Sequence, residues 1–206
     1  MLQTVHHRHP ELESRYSPLG TYQLHVSSGA VTTIAAATAS AGFLFAYQWT
    51  NATANAYVRY VGAKFTLTTA YGAAQETGID MITAPAYTVA NTGGTAVTVT
   101  GNKLLQHLPA SKLASCRVAS TTALTAGTFT HDANPIASTS AWTSAIGAQI
   151  ADADGGPRAL FDERLTGSPL VFAASSGFFL RNTILMGATG VGRWDFTVIW
   201  DEGVPA

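Results

Sequence analysis

The amino-acid sequence predicts an all-β protein: an antiparallel β-sandwich or jelly roll over residues 21–206, preceded by an extended N-terminal arm over residues 1–20. Three observations carry this expectation. Apolar residues recur at every second position in several separate segments, the spacing of a strand that lays one face on a core. Clusters of Gly, Pro, Asn, Asp and Ser interrupt those segments at intervals of roughly ten residues, as in sandwiches and barrels. Helical periodicity is scarce. "NKLLQHLPASKLAS" and "TSAIGAQIADA" each leave room for a turn or two before Pro or Gly intervenes.

The arm comes first. "MLQTVHHRHPELESRY" is polar, and "SPLG" (Ser17 to Gly20) closes it with turn residues. So few apolar side chains bury too little area to offset the entropy of ordering, so the arm is expected to gain order only against a neighbouring surface. In "GFLFAYQW", Phe43, Phe45, Tyr47 and Trp49 share one face, with Leu44, Ala46 and Gln48 opposite. In "AYVRYVGAKFTLTT", Val61, Ala63, Phe65 and Leu67 face one way, and Tyr60, Gly62, Lys64, Thr66 and Thr68 the other. "GGTAVTVTGN" alternates Val97 and Val99 with Thr98 and Thr100. The last block, "GFFLRNTILMGATGVGRWDFTVIWDEG", reads as a closing hairpin. Its two apolar runs flank a glycine-rich break, in which Gly187, Gly190 and Gly192 offer the positive φ a tight connection uses. Trp194, Phe196, Val198 and Trp200 share the core face of its second strand. Burying each large side chain contributes on the order of 2 kcal/mol. Ile199 is the one apolar residue on the opposite face, a candidate contact residue.

Charge bounds the function. Of 206 residues, 11% are charged, and the net charge is −1. An average soluble domain carries about 25%. No Asp, Glu, Lys or Arg occurs between Arg15 and Arg59, between Asp80 and Lys103, or between Asp132 and Asp152. A polar but nearly uncharged surface lacks the repulsion that keeps monomers apart, and it points to assembly. Without a basic block the electrostatic footprint of nucleic-acid binding is missing. The single cysteine, Cys116, excludes an internal disulfide. No apolar signal region opens the chain, and the uncharged stretch Val31–Trp49 is too rich in Ala, Thr and Ser for a membrane helix. Synthesis in a cytoplasm is the expectation.

No constellation of catalytic residues emerges. The three imidazoles His6, His7 and His9 are the best metal-ligand candidates, but no second cluster of Cys, Asp or Glu completes a tetrahedral site. The favoured reading makes His6, His7, Arg8, His9, Pro10 and Tyr16 partner-binding residues of the arm. "DADGGPR" opens like a Ca²⁺ loop, with Asp152, Asp154 and a Glu163 at the twelfth position. Pro157, however, replaces the glycine such a loop needs at its sixth position. "GATGVG" precedes a strand, whereas a dinucleotide-binding loop precedes a helix. No G-x-S-x-G elbow is present. His25, His107 and His131 are isolated, and His25 reads as a packed or satisfied residue. Cys116 beside Arg117 invites a lowered thiol pKa, against a reading as a buried, inert side chain. In an extended chain, adjacent Asp162 and Glu163 point to opposite faces, a poor arrangement for paired acid–base work. The expectation is no enzyme and no cofactor.

The blocks "AYVRYVGAKFTLTTAYGAAQETGIDM", "TGGTAVTVTGNKL", "TTALTAGTFTHDANPIAS" and "PLVFAASSGFFLRNTILMGATGVGRWDFTVIWDE" resemble, in order and texture, successive blocks of small virion proteins of tailed bacteriophages. The resemblance spans Val31 to Glu202 and is best from Pro169 onward; it carries no short diagnostic motif. It implies a β-sandwich or jelly-roll module without catalytic residues, located in the virion. The expected role is a capsid decoration (cement) protein, assembled as a homo-oligomer, most simply a trimer. Its partners would be the major capsid protein or other virion proteins, with no nucleic acid and no membrane. A tail, neck or fibre-attachment protein would use the same module. A carbohydrate-binding β-module is the alternative of another class, with Tyr60, Tyr71 or Trp142 stacking on sugar rings.

Overall fold

Residues that alternate between core and surface form extended strands, and their apolar faces are buried by stacking one sheet on another. The computed structural model describes residues 17–32, 34, 42–99, 102–104, 107–143, 148–151, 153–187 and 189–204, and it is an antiparallel β-sandwich. The first sheet is built on two long strands, β4 (Asn55–Thr69) and β15 (Val191–Val204), which pair along nearly their whole length. On the far side of β15 lies β1 (Ser17–Ser27), continued by β2 (Val31–Thr32). On the far side of β4, three short strands follow one another: β11 (Gln149–Ile150), β12 (Arg158–Asp162) and β13 (Leu170–Phe172). The second sheet runs in the order β10 (Ala137–Thr143), β5 (Gln75–Ala84), β14 (Ser176–Asn182), β3 (Phe43–Trp49), β8 (Ser115–Val118), β7 (Thr95–Ala96). A two-stranded ribbon of β6 (Ala86–Val89) and β9 (Thr128–Thr130) completes the pairing. The one helix among the described residues is a single turn, α1 (Glu163–Thr166).

Aromatic side chains bridge the two sheets. Phe45 of the second sheet meets Phe196 of the first with ring centroids 5.4 Å apart, and Tyr47 meets Trp200 edge-on at 5.7 Å. Tyr22 stacks on Trp200 at 5.5 Å. Trp194, Phe196, Val198 and Trp200 are all fully buried, as are Val61, Ala63, Phe65 and Leu67 on β4. The alternation in these two strands thus sorts the side chains as the sequence predicts.

Several expectations are corrected by long-range pairing. β14 and β15 lie in different sheets, so the final block is a crossover between layers and not a hairpin. Gly187, Gly190 and Gly192 are not among the positive-φ glycines. Space is what matters there: a Cβ on Gly190 would lie 1.9 Å from Cδ1 of Tyr71, and one on Gly192 would lie 2.2 Å from the Phe65 ring. In β3, Phe43 leaves the face of Phe45. A bulge inserts Leu44 between the positions paired with Arg181 and Leu180, and an extra residue reverses the alternation. Phe43 instead joins Ala46, Ile82, Ala84, Leu124 and Phe179 in a second cluster on the other side of that sheet. The β6–β9 ribbon covers it, Phe129 packing 4.5 Å from Phe179. That third layer is why all of β3 is buried. Ser17–Gly20, given to the arm for its turn residues, opens β1 and pairs with the end of β15. The described part of "NKLLQHLPASKLAS" holds no helix, and the described part of "TSAIGAQIADA" contributes the last residue of β10 and the short strand β11.

Candidate functional site

The outer face of the first sheet carries the densest charged cluster among the described residues. Its centre is Arg59. Along β4, Val58 pairs with Trp200 and Tyr60 with Ile199, which leaves Arg59 as the extra residue of a bulge. Bulges re-aim side chains. Here the guanidinium joins a carboxylate of α1 to one of β15: Nε donates to Glu163 Oε2 at 2.5 Å, and Nη1 donates to the buried Asp201 Oδ2 at 3.1 Å.

Asp162 ends β12 and caps α1. Its extended backbone (φ −142°, ψ 116°) lets Oδ1 accept from the Arg164 amide at 2.9 Å, and Gly167 closes the turn with φ 78°. Only glycine adopts that angle without strain. The Arg164 guanidinium grips the same carboxylate, Nη2 donating to Oδ2 at 2.6 Å. These side-chain bonds hold the Asp162 carboxyl below its ordinary pKa and raise that of Arg164. Asp162 and Glu163 are therefore each neutralised by a different guanidinium, a poor state for proton transfer. Between α1, β15 and Leu104 the surface forms an open groove of about 540 Å³, with Tyr60, Ile199 and Leu104 as its apolar lining. Ile199, half-buried, lines this groove.

A second polar centre is structural. Glu202 at the end of β15 is 1% exposed and turned inward. Its Oε1 accepts from Ser111 Oγ at 2.6 Å, the Lys112 amide at 2.9 Å and Trp200 Nε1 at 3.3 Å. Burial raises its pKa, and these donors partly oppose the rise. Nearby, Tyr22 donates to the Pro109 carbonyl at 3.0 Å, and burial, followed by the Glu202 charge, pushes its phenol up to about 12. The carboxylate and the phenol together tie the segment around 109–112 to the sheet. In the second sheet, Asp80 and Arg181, adjacent on β5 and β14, form a buried ion pair at 3.8 Å.

His6, His7, Arg8, His9, Pro10 and Tyr16 lie outside the described residues. Trp194, Phe196, Val198 and Trp200 are core and present nothing to a partner. His25 is exposed, its Nδ1 sharing a hydrogen bond with Thr197 Oγ1 at 3.0 Å, so it is satisfied but not packed. His107 is exposed; His131 bonds the Asp132 carbonyl and leans on Phe129. The thiol of Cys116 moves opposite to the lowered-pKa reading: it is buried and its pKa is raised by desolvation, while Arg117 points away and donates to the Gly93 carbonyl. In the Ca²⁺-loop candidate, Asp152 lies outside the described residues, Asp154 accepts from Gly156, and Glu163 is held by Arg59. Among the described residues no three His, Cys, Asp or Glu converge on a point, and no helix is long and apolar enough to cross a membrane. Tyr60 is tied to the Pro157 carbonyl and Tyr71 is 6% exposed, whereas Trp142 is 73% exposed. The sequence reading missed Arg59 because only the bulge makes it special. It missed the Glu202 latch because a carboxylate near the end of a strand ordinarily faces water.

No family model matches the sequence, and neither a curated protein nor a solved structure does.

Proposed function

We propose that this chain is a non-enzymatic structural protein of a tailed-phage virion, a capsid decoration protein that binds the shell and neighbouring copies of itself. The observation that carries the reading is how the ionisable groups are used. Glu202, Asp162, Glu163, Asp201 and Asp80 each hold a strand, a turn or a loop in place through a donor or a guanidinium. Glu202, beside the Ser111 hydroxyl, is 1% exposed, and the other four are each held by a guanidinium, whereas acid–base chemistry calls for an accessible carboxylate. The chemistry of the fold is spent on rigidity, and the nearly uncharged sequence suits a protein that packs against copies of itself. Large apolar side chains such as Val89, Leu165, Val171 and Leu185 stand exposed on the rigid frame as contact points. Several weak clamps on a symmetric shell add up through multivalency, so no single contact needs to be tight.

The test is imaging of intact particles of the phage that encodes the chain. A decoration protein is present in copies on the order of hundreds over the shell, whereas a tail ring holds about a dozen or fewer. A ring-like copy number, or absence from the particle, overturns the reading. The arm is tested by removing residues 1–16, which stops short of β1. The truncated protein is expected to keep its β circular dichroism and to lose its place on the particle. Full occupancy without those residues would sink the arm's role.

A further inference from the structure

Three of the four tryptophans, Trp49, Trp194 and Trp200, are fully buried, whereas Trp142 is 73% exposed. It stands on a regular strand, β10, paired residue for residue with β5 from Ala137 to Thr143. The next residue, Thr143, is fully buried and its hydroxyl shares a hydrogen bond with that of Thr77 at 2.9 Å. The backbone that carries the indole is therefore fixed before any ligand arrives, which lowers the entropy cost of binding.

What surrounds the indole narrows the ligand. Directly across the ladder from Trp142 is Glu76, and two residues back on the same face of β10 is Ser140. The Ser140 hydroxyl donates to Glu76 Oε1, which orients the carboxylate, and Oε2 has no partner among the described residues. Ser138 and Ser140 are the exposed side chains beside Trp142 on this strand. An aromatic plate edged by a carboxylate and a hydroxyl suits a pyranose ring, whose C–H face is apolar and whose rim carries hydroxyls. A protein partner would call for a contiguous apolar centre, and the neighbours on β10 are serines. The carboxylate disfavours phosphates, nucleic acids and acidic sugars.

We propose that Trp142, Glu76 and Ser140 form a binding platform for a neutral pyranose ring of an oligosaccharide or polysaccharide. The ring stacks on the indole, and its hydroxyls donate to Glu76 Oε2. This site is independent of the virion reading, because it is tested on the isolated protein.

The experiment titrates the full chain with cellohexaose, maltohexaose and chitohexaose. It follows the Trp142 indole N–H resonance, assigned with a Trp142→Phe variant. At least one sugar is expected to bind with millimolar affinity and shift that resonance. Trp142→Ala is expected to weaken binding about tenfold or more, and Glu76→Gln about threefold, with an unchanged thermal midpoint in both. Trp142→Tyr should retain part of the affinity. Failure of all three sugars to bind at their solubility limits overturns the proposal, as does equal binding by wild type and Trp142→Ala. If sedimentation instead shows a dimer that Trp142→Ala dissociates, with no sugar bound, the patch is a contact between copies and the proposal fails.

Discussion

Glu202 shows how a single buried carboxylate organises a neighbourhood. Ser111, Lys112 and Trp200 all direct donors at it. Glu202→Ala leaves those donors without an acceptor in a dry environment, and the expected loss is about 2 kcal/mol in urea unfolding. The pH dependence has a definite sign. Burial places the folded pKa of Glu202 above its unfolded value, so its ionised form disfavours the fold at neutral pH. Protonation as pH falls through the raised folded value removes that penalty. Asp162 runs the other way: its folded pKa is lowered, so its contribution is present above the unfolded value and is lost as pH falls through the folded one. Between neutral pH and mildly acidic pH, wild type is expected to gain stability relative to Glu202→Gln. A parallel pH profile for the two proteins would refute this. Arg59 is the second residue of this kind. Arg59→Ala should lower stability by about 1–2 kcal/mol, and Arg59→Lys should not restore it, because a compact ammonium cannot reproduce the guanidinium's two directed bonds to Glu163 and Asp201.

Bulges and glycines decide what the strands do with their side chains. One bulge lifts Arg59 to the groove and another turns Phe43 away from the main core. Period-two reading cannot locate either, because an inserted residue looks the same in sequence as a regular one. Gly190 belongs to the same scale. Where β14 crosses to β15, the Tyr71 ring occupies the volume a Cβ would fill. Gly190→Ala is expected to cost about 1–3 kcal/mol in thermal or denaturant unfolding. Trimming Tyr71 to Leu should relieve part of that cost. A double-mutant cycle with no coupling between the two positions would mean that the crossover accommodates the methyl in another way.

In the whole molecule, two sheets bridged by aromatic rings present one charged outer face and one outer face partly covered by the β6–β9 ribbon. Because the strands among the described residues begin at Ser17, the truncation that tests particle binding should leave the unfolding stability within about 1 kcal/mol of wild type. A larger loss would assign those residues to the fold. Much was legible from the residues alone. Alternation in β4 and β15 assigned their buried faces, and the turn residues between them announced an all-β chain, because local steric preference and the two-residue repeat of an extended backbone are properties of the chain itself. Trp142 was legible as a stacking candidate, but so were Tyr60 and Tyr71, and exposure separated them only once the chain was folded. Strand partners were not legible: the placing of β14 and β15 in different sheets, the third layer over β3, and the meeting of Arg59 with Glu163 and Asp201. Those pairings join residues up to 142 positions apart for Arg59 and Asp201. They are chosen by which faces complete a common core, a condition that exists only when the entire chain is assembled.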